Sequence, residues 1–330
     1  MLSRVANSIY WMSRTLERAE NVARFIDVNL NLMLDSEALD NNQWGPLVIT
    51  SGDRALFEKH YGAPTKESVM RFLTFDQTNP NSILSCVFAA RENARSIREI
   101  ISSEMWEQAN RFYMLVREAA SNDTIFWNPH DFYTEVKLAS HLFDGIADAT
   151  LSHSEPWHFL RLGEMIERAD KTSRILDVKY YFLLPTLQGV GSTIDGVQWA
   201  ALLRSASSFE MYRKRHRRIT PQRVANFLIL DRHFPRSILF CVARAEESLR
   251  AITGTSHNFF SNQAEQRLGQ LSSSLNYSKI EEIMASGLHE FLDSIQIRLN
   301  QVDDAVCETF FALPSIDSDR NERFQADQHQ

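Results

Sequence analysis

Two short Glu-Arg sequences carry the residue types in this chain that could do chemistry. Residues 16–20 read Leu-Glu-Arg-Ala-Glu, and residues 166–170 read Ile-Glu-Arg-Ala-Asp. A carboxylate can act as a general base, and an arginine guanidinium grips a carboxylate or phosphate group through paired N–H donors. The chain therefore holds two copies of a charge pattern that suits ion pairing or the binding of an anionic or zwitterionic group.

Helical periodicity separates the two residues of this motif. At 100° per residue, Glu17 falls on a polar arc, whereas Arg18 falls among apolar residues. In the second copy Arg168 likewise lies among apolar residues. An unpaired charge in an apolar core is very costly, so we expect both arginines either to be paired or to line a cavity.

A purely structural interpretation accounts for these charges as ion pairs. Oppositely charged residues four apart on a helix form surface pairs worth a few tenths of a kcal/mol, and the candidates here are Glu20 with Arg24 and Asp170 with Arg174. The core-facing arginines would be neutralised by Glu92 and Glu247, or by the carboxylates that neighbour the opposite arginine.

A binding interpretation stays open beside it. In that interpretation the two charge clusters meet across a pseudo-twofold axis and hold an anionic or zwitterionic group, because arginine suits such ligands. No catalytic residue can be assigned from the pattern. The candidate binding or buried charge cluster consists of Glu17, Arg18, Arg24, Asp27, Glu92, Arg95, Glu167, Arg168, Arg174, Asp177, Glu247 and Arg250.

The elements that must position these residues are predicted to come from an internal duplication. Residues 43–97 align with 198–252 without a gap, so that Trp44 falls on Trp199 and Pro80 on Pro235. The two Glu-Arg sequences align with a slightly different offset, which places a loop insertion at 188–192 in the second copy. The sequence thus predicts an all-α fold of about twelve helices, arranged as two six-helix units with pseudo-twofold symmetry.

The first unit is predicted to span 1–155 and the second 156–313, packed as one globular body, with a disordered polar tail at 314–330. The helices of the first unit are expected near 2–35, 42–59, 65–74, 81–101, 103–120 and 130–152. Those of the second are expected near 157–184, 196–215, 221–230, 236–252, 259–274 and 279–312.

Composition excludes several classes of function. The net charge of −7 makes nucleic acid an unlikely partner, and no apolar stretch is long enough to cross a membrane. The three cysteines form no disulfide or zinc pattern. Glu155 and His158 have the spacing of a di-iron ligand pair, but the first-copy position of His158 is Ser8, so we expect no metal and no cofactor. We expect a cytoplasmic protein.

The sequence resembles the bacterial alpha-E domain family, which is named for its helices and its Glu-Arg motif. The resemblance rests on residues 1–6, 16–21, 103–106, 163–169 and 235–239 and extends to about Phe311. Members of that family typically occur beside, or fused to, a circularly permuted ATP-grasp protein and a transglutaminase-like protein. The resemblance therefore implies these two partners, with a peptide as a possible ligand, but no catalytic role for any residue.

Three functions follow as hypotheses. The leading one is an accessory or binding subunit of a peptide-modification system that works with an ATP-grasp amide ligase. The second is an enzyme whose paired Glu/Arg clusters form the active site, which requires Glu17, Glu92, Glu167 and Glu247 to line a solvent-reachable cavity. The third is a purely structural helical scaffold, in which the charges only fix the register of the helices.

Overall fold

A computed structural model describes residues 1–34, 44–122, 125, 128–183, 193–256 and 259–312. Within these ranges the chain forms fifteen α-helices and a short π-helix, with no strand. The all-α prediction is therefore confirmed. The insertion at 188–192 and the tail at 314–330 lie outside the described residues. The change of alignment offset falls after Asn31, in a stretch of which the structure describes only residues 31–34.

Seven helices make up the first half of the chain: α1 (Ser3–Leu34), α2 (Gly45–Ser51), α3 (Arg54–Tyr61), α4 (Lys66–Thr74), α5 (Ile83–Ser96), α6 (Ser103–Ser121) and α7 (Pro129–Thr150). The second half contains α8 (Glu155–Leu183), α9 (Thr193–Ser205), α10 (Phe209–Arg215), α11 (Pro221–Leu230), α12 (Ile238–Thr253), α13 (Gln263–Tyr277), α14 (Ile280–Ser286) and α15 (Leu288–Val306), followed by a π-helix at Cys307–Phe311.

The helices number more than the predicted twelve because three predicted helices are each broken in two. The breaks fall at Gly52, with φ of 84°, at Ser207, with φ of 49°, and at Gly287, with φ of 102°. A residue with positive φ cannot continue a right-handed helix and ends it. Apart from these breaks, helices occur in each region where they were expected.

Capping residues fix several helix starts. Ser82 and Ser237 each accept a hydrogen bond from the backbone N–H three residues later and begin α5 and α12. Thr220 does the same for α11, which has Pro221 at its first position. These caps keep the residues just before α5 and α12 in a defined place, and both positions contact the candidate site.

Each half of the chain has its own hydrophobic core. One cluster of buried residues draws on α1 to α7 and includes Trp44, and the other draws mainly on α8 to α15 and includes Trp199. Both tryptophans are buried, Trp44 to 2% and Trp199 to 6% exposure. The long helices α1 and α8 pack on one another between these cores.

The contact between α1 and α8 is close because Gly163 of α8 has no side chain. A Cβ atom at this position would lie 2.5 Å from the backbone oxygen of Tyr10 and 2.5 Å from Oγ of Ser13. The two backbones can approach this far only where glycine is present. This close approach brings the two Glu-Arg sequences face to face. None of the described helices is long and apolar enough to cross a membrane.

Candidate functional site

The polar face of α1 is buried against α8. Glu17 and Glu20 are 2% and 0% exposed, and Asn21 and Arg24 are also buried. Periodicity placed Glu17 on the polar side of an amphipathic helix, which usually meets water. Here that face meets the polar face of another helix, so the charges neutralise one another inside the protein.

The two Glu-Arg sequences bind each other reciprocally. Arg18 donates from Nε to Oε1 of Glu167 at 2.7 Å and from Nη2 to Oε2 at 2.9 Å. Arg168 donates from Nε and Nη2 to the two carboxylate oxygens of Glu17 at 3.0 and 2.8 Å. The glutamate of each sequence is thus held by the arginine of the other in a bidentate pair.

Each glutamate also has cationic partners that the motif does not contain. Nε of Arg14 lies 3.0 Å from Oε2 of Glu167, and Nζ of Lys171 lies 3.4 Å from Oε1. Nη1 of Arg236 lies 2.9 Å from Oε1 of Glu17. Arg14 and Arg236 were not among the predicted members of the cluster. Arg236 lies just before α12, within the gapless alignment of 43–97 with 198–252, so the internal repeat could have drawn attention to it.

The two pairs differ in what surrounds the arginine. Nη1 of Arg18 donates to Oδ1 of Asn81 at 2.7 Å, and Asn81 aligns with Arg236 of the second half. Arg168 instead donates to Oε1 of Glu164 at 2.5 Å. One central arginine therefore has an uncharged neighbour and the other has an acidic one, although the two central pairs match.

The predicted pairs four residues apart are present, but they are not surface pairs. Glu20 accepts hydrogen bonds from Nε and Nη2 of Arg24, and Oδ2 of Asp170 lies 2.8 Å from Nε of Arg174. Both carboxylates are buried. Glu20 also accepts from Nη2 of Arg236 at 2.5 Å. The expectation of exposed pairs is wrong because this face of α1 and of α8 is covered by neighbouring helices.

The arginines control the ionisation of these carboxylates. Burial alone would raise the pKa of Glu167, but the charges of Arg18, Lys171 and Arg14 outweigh it and hold that pKa well below its usual range. The pKa of Glu20 is also held well below its usual range, since Arg236 and Arg24 outweigh its burial. These carboxylates therefore stay ionised and accept protons poorly, which does not suit a general base.

Asp144 of α7 has the opposite environment. Partial burial, which leaves 31% of the side chain exposed, raises its pKa well above the usual range, and the negative charge of Glu164 adds to that rise. Its Oδ2 lies 3.8 Å from Nη2 of Arg168, which offsets only part of the effect. Asp144 is therefore a carboxyl group that folding favours in its protonated form.

Three carboxylates in the described ranges stand close enough together to share a metal ion. Glu17, Glu20 and Asp144 each offer an oxygen within 4.8 Å of the other two. The guanidinium groups of Arg168 and Arg236 already bind these oxygens. A divalent cation would lie next to two fixed positive charges, so this donor set does not fit a metal ion.

Two further members of the candidate charge cluster, Asp27 and Asp177, lie towards the C-terminal ends of α1 and α8. Asp27 accepts from Nζ of Lys137 at 2.6 Å and lies 2.6 Å from Nδ1 of His130. Asp177 has a corresponding contact of 2.6 Å with Nδ1 of His289. These aspartates tie α7 to α1 and α15 to α8, at some distance along each helix from the Glu-Arg sequences.

The structure separates Glu92, Arg95, Glu247 and Arg250 from the site. Glu92 pairs with Arg91 and Arg95, Glu247 pairs with Arg244, and Arg250 pairs with Glu246. The expectation that Glu92 and Glu247 neutralise the core-facing arginines is therefore wrong. Asn81 at the start of α5 is the residue that contacts Arg18, and Glu92 lies eleven residues further along, roughly 16 Å on a helix that rises 1.5 Å per residue.

Comparisons with known proteins agree with the resemblance seen in the sequence. The chain is 23% identical over 94% of its length to the uncharacterized protein Mb2597 of Mycobacterium bovis and to the uncharacterized protein MT2643 of Mycobacterium tuberculosis. It is 22% identical to the uncharacterized protein Rv2567 of Mycobacterium tuberculosis. The chain spans 37% of the length of these relatives.

No solved structure matches the chain. The Alpha-E family model, described as a predicted alpha-helical domain with a conserved ER motif, matches residues 1–311. This range contains both Glu-Arg sequences and the helices that pair them. The chain belongs to the Alpha-E family.

Proposed function

We propose that this chain is an accessory or binding subunit of a bacterial peptide-modification system, and that it works with an ATP-grasp amide ligase. One observation supports an accessory role above all. The two Glu-Arg sequences are engaged in buried bidentate pairs with each other, with hydrogen bonds of 2.7 to 3.0 Å. Such pairs hold helices in place and occupy the charged groups of the two Glu-Arg sequences themselves.

The enzyme hypothesis required four glutamates to line one cavity that solvent can reach. Glu17 and Glu167 are 2% and 0% exposed, and Glu92 and Glu247 lie elsewhere in surface pairs. A general base must come within hydrogen-bond reach of the proton that it removes. The geometry therefore favours the accessory role over an active site made of these residues.

The partners are inferred from the resemblance, and the relatives add indirect support. In the three mycobacterial relatives the matching region is 37% of a longer chain. A domain that forms part of a longer protein commonly acts beside other domains. We infer an ATP-grasp protein and a transglutaminase-like protein as partners and a peptide as a possible ligand. A cytoplasmic location stays a prediction of the sequence.

We further infer that the fold arose from two copies of one helical unit, which meet across a pseudo-twofold axis between α1 and α8. The reciprocal pairs support this proposal, since Arg18 holds Glu167 in the manner in which Arg168 holds Glu17. A homodimer joined through a two-fold axis would have paired its residues in this reciprocal way before duplication.

Co-purification tests the accessory role. The tagged chain, expressed at native level in its own bacterium, is expected to retain an ATP-grasp protein, and the purified pair is expected to form amide bonds faster than the ligase alone. Glu92→Gln serves as a control for substitutions in the central pairs, because this surface substitution leaves those pairs intact. An exhaustive capture without an ATP-grasp protein, or a ligase rate unchanged by the chain, would contradict the proposal.

The scaffold hypothesis makes a different prediction for the same assay. Replacing Arg18 and Arg168 together with methionine removes both central pairs. If the charges serve only to fix the helices, this variant loses stability, but the part that remains folded still stimulates the ligase. Loss of stimulation in folded variant protein would show that the network takes part in binding.

A further inference from the structure

A small polar cavity lies at one end of the charge network. It has a volume of about 170 Å³ and is bounded by α1, α7, α9 and the turn between α9 and α10. Its charged and hydroxyl-bearing walls are Arg24, Asp27, Lys137, Arg204 and Ser207. Three of these side chains are cationic and one is anionic, so the cavity carries an excess of positive charge.

Several donors in this cavity have no partner among the residues that the structure describes. Nζ of Lys137 has three N–H donors, of which one contacts Oδ2 of Asp27 at 2.6 Å. Arg204 is exposed and lies with its guanidinium carbon 4.8 Å from the ring centre of Phe209. Among the residues that the structure describes, no carboxylate pairs with Arg204. Stacking on an aromatic ring fixes the guanidinium plane and leaves its donors available.

Ser207, which lines the cavity, has a backbone conformation that serine rarely adopts. Ser207 has φ of 49°, in the left-handed region, and its Oγ accepts a hydrogen bond from Nη1 of Arg24. Residues held in such conformations concentrate at binding sites, where the surrounding structure enforces them. The hydroxyl thereby fixes one side of the Arg24 guanidinium at the cavity wall.

The residues that correspond to Ser207, Arg204 and Lys137 in the internal repeat lack these features. Gly52 aligns with Ser207 and also has positive φ, but it has no hydroxyl group. Ile49 aligns with Arg204 and carries no charge. Lys137 stands seven residues after His130, and Gln296 stands seven residues after His289. Lys137 and Arg204 therefore have no cationic counterpart in the other copy, whereas Arg24 has one in Arg174.

We propose that this cavity binds one oxyanion group, a carboxylate or a phosphate, at the end of a small ligand or peptide. The free donors of Lys137 and Arg204 supply the charge-assisted hydrogen bonds that such a group needs. Pockets for drug-sized ligands usually measure about 300–1,000 Å³, so a cavity of about 170 Å³ suits one terminal group and excludes a whole nucleotide. The proposal goes beyond the accessory role and does not depend on which enzyme the chain assists.

Calorimetric titration of the full chain tests this site with defined probes. Inorganic phosphate represents the phosphate source, and glycylglycine represents a peptide carboxylate, with glycylglycine amide as the counterpart whose C-terminus is uncharged. Binding of phosphate or of glycylglycine is expected, and the amide is expected to bind at least tenfold more weakly than the free dipeptide if the carboxylate is the recognised group.

Substitution of Arg204 assigns the binding to this cavity. Because Arg204 is exposed, Arg204→Gln is expected to fold normally and to weaken binding of the preferred probe by about tenfold or more, the loss of one charged hydrogen bond. Lys137→Gln, which copies the residue at 296, is expected to act in the same direction. Arg98→Gln is the matched control, since Arg98 is also exposed and stacks 4.9 Å from the ring centre of Trp106.

The results separate this proposal from the accessory role. Arg98→Gln is expected to bind the probe as the unmodified chain does. The proposal is overturned if neither phosphate nor glycylglycine binds, or if Arg204→Gln and Lys137→Gln bind the probe with unchanged affinity. Capture of the ATP-grasp protein by Arg204→Gln reports separately on the accessory role, because Arg204 lies outside the buried pairs.

Discussion

The guanidinium of Arg18 and the carboxylate of Glu167 form two parallel hydrogen bonds of 2.7 and 2.9 Å between α1 and α8. Arg168 and Glu17 form the same pair in the opposite direction. The Glu-Arg motif therefore works as two halves of one contact, and neither residue of a copy is paired with its own neighbour. A change to one copy must affect the other.

Removing the charge of Glu167 is expected to destabilise the fold strongly. Glu167→Gln leaves Arg14, Arg18 and Lys171 without their shared carboxylate in a buried place. Breaking a buried pair by removing one partner typically costs ~3–5 kcal/mol, because the remaining charge is uncompensated. Chemical denaturation monitored by circular dichroism measures the change in the free energy of unfolding.

Glu92→Gln is the control for that measurement. Glu92 also pairs with two arginines, Arg91 and Arg95, but its side chain is 31% exposed. Exposed pairs contribute about 0.2–1 kcal/mol, so this variant is expected to lose at most that amount. Equal losses in the two variants would mean that the central network does not hold the helices together.

The close crossing of α1 and α8 predicts opposite effects for two helical glycines. Gly163→Ala places a methyl group 2.5 Å from the backbone oxygen of Tyr10, which cannot move without separating the helices. Overpacking of this kind is expected to lower the free energy of unfolding by about 1–3 kcal/mol. Urea denaturation of the purified variant provides the measurement.

Gly145 of α7 provides the matched comparison. It is exposed, and a Cβ atom there would meet no neighbouring atom within 4 Å. Alanine has a higher helix propensity than glycine, so Gly145→Ala is expected to stabilise the chain by roughly 0.5–1 kcal/mol. If Gly163→Ala were also stabilising, α1 and α8 would have to lie further apart than the structure shows.

Sequence reasoning could predict the helices and the importance of the two arginines, but it could not predict where the polar face of α1 points. The periodicity of one helix shows which residues share a face and does not show whether water or another polar face covers it. Arg14 and Arg236 were missed for the same reason, since both become partners only when α1, α8 and the start of α12 come together.

Glu92 and Glu247, in contrast, were predicted to belong to the cluster but lie outside it. Their repetition in both halves favoured them as partners for the core arginines, yet each lies well along its helix from the end that faces the site. Repetition indicates a shared position in the fold, but it does not identify what that position contacts. The break at Ser207 was also missed, because serine carries no sequence signal for positive φ.

Acid is expected to unfold the chain through the carboxylates of the central network. Their pKa values in the folded protein are held below the ordinary value of about 4.3 for glutamate, most strongly for Glu20 and Glu167. A lowered folded pKa contributes stability that is complete above the unfolded value and is lost as pH falls through the folded one. Denaturation at a series of pH values should show stability falling steeply below about pH 4.5.

The variant Glu167→Gln tests the origin of that acid sensitivity. It lacks one of the two carboxylates with the most strongly lowered pKa, so its stability should fall less steeply with acid than that of the unmodified chain. The two stability curves should approach each other at low pH, where Glu167 is protonated. Parallel curves across the whole range would assign the acid sensitivity to other carboxylates.

Asp144 is expected to respond to pH with the opposite sign. Its pKa is raised in the folded chain by burial and by the negative charge of Glu164, so ionisation of Asp144 opposes folding. A raised folded pKa gives stability that is complete below the unfolded value of about 3.9 and is lost as pH rises through the folded value. Asp144→Asn should therefore raise the melting temperature at pH 7, and its advantage should shrink as pH falls towards 4.

The neighbouring arginine provides the test of this sign. Nη2 of Arg168 lies 3.8 Å from Oδ2 of Asp144, and a strong pair between them would make the ionised carboxylate stabilising. In that event Asp144→Asn would lower the melting temperature at pH 7. Asp148→Asn is a suitable control, because the Asp148 side chain on the same helix is 70% exposed and should shift the melting temperature little at either pH.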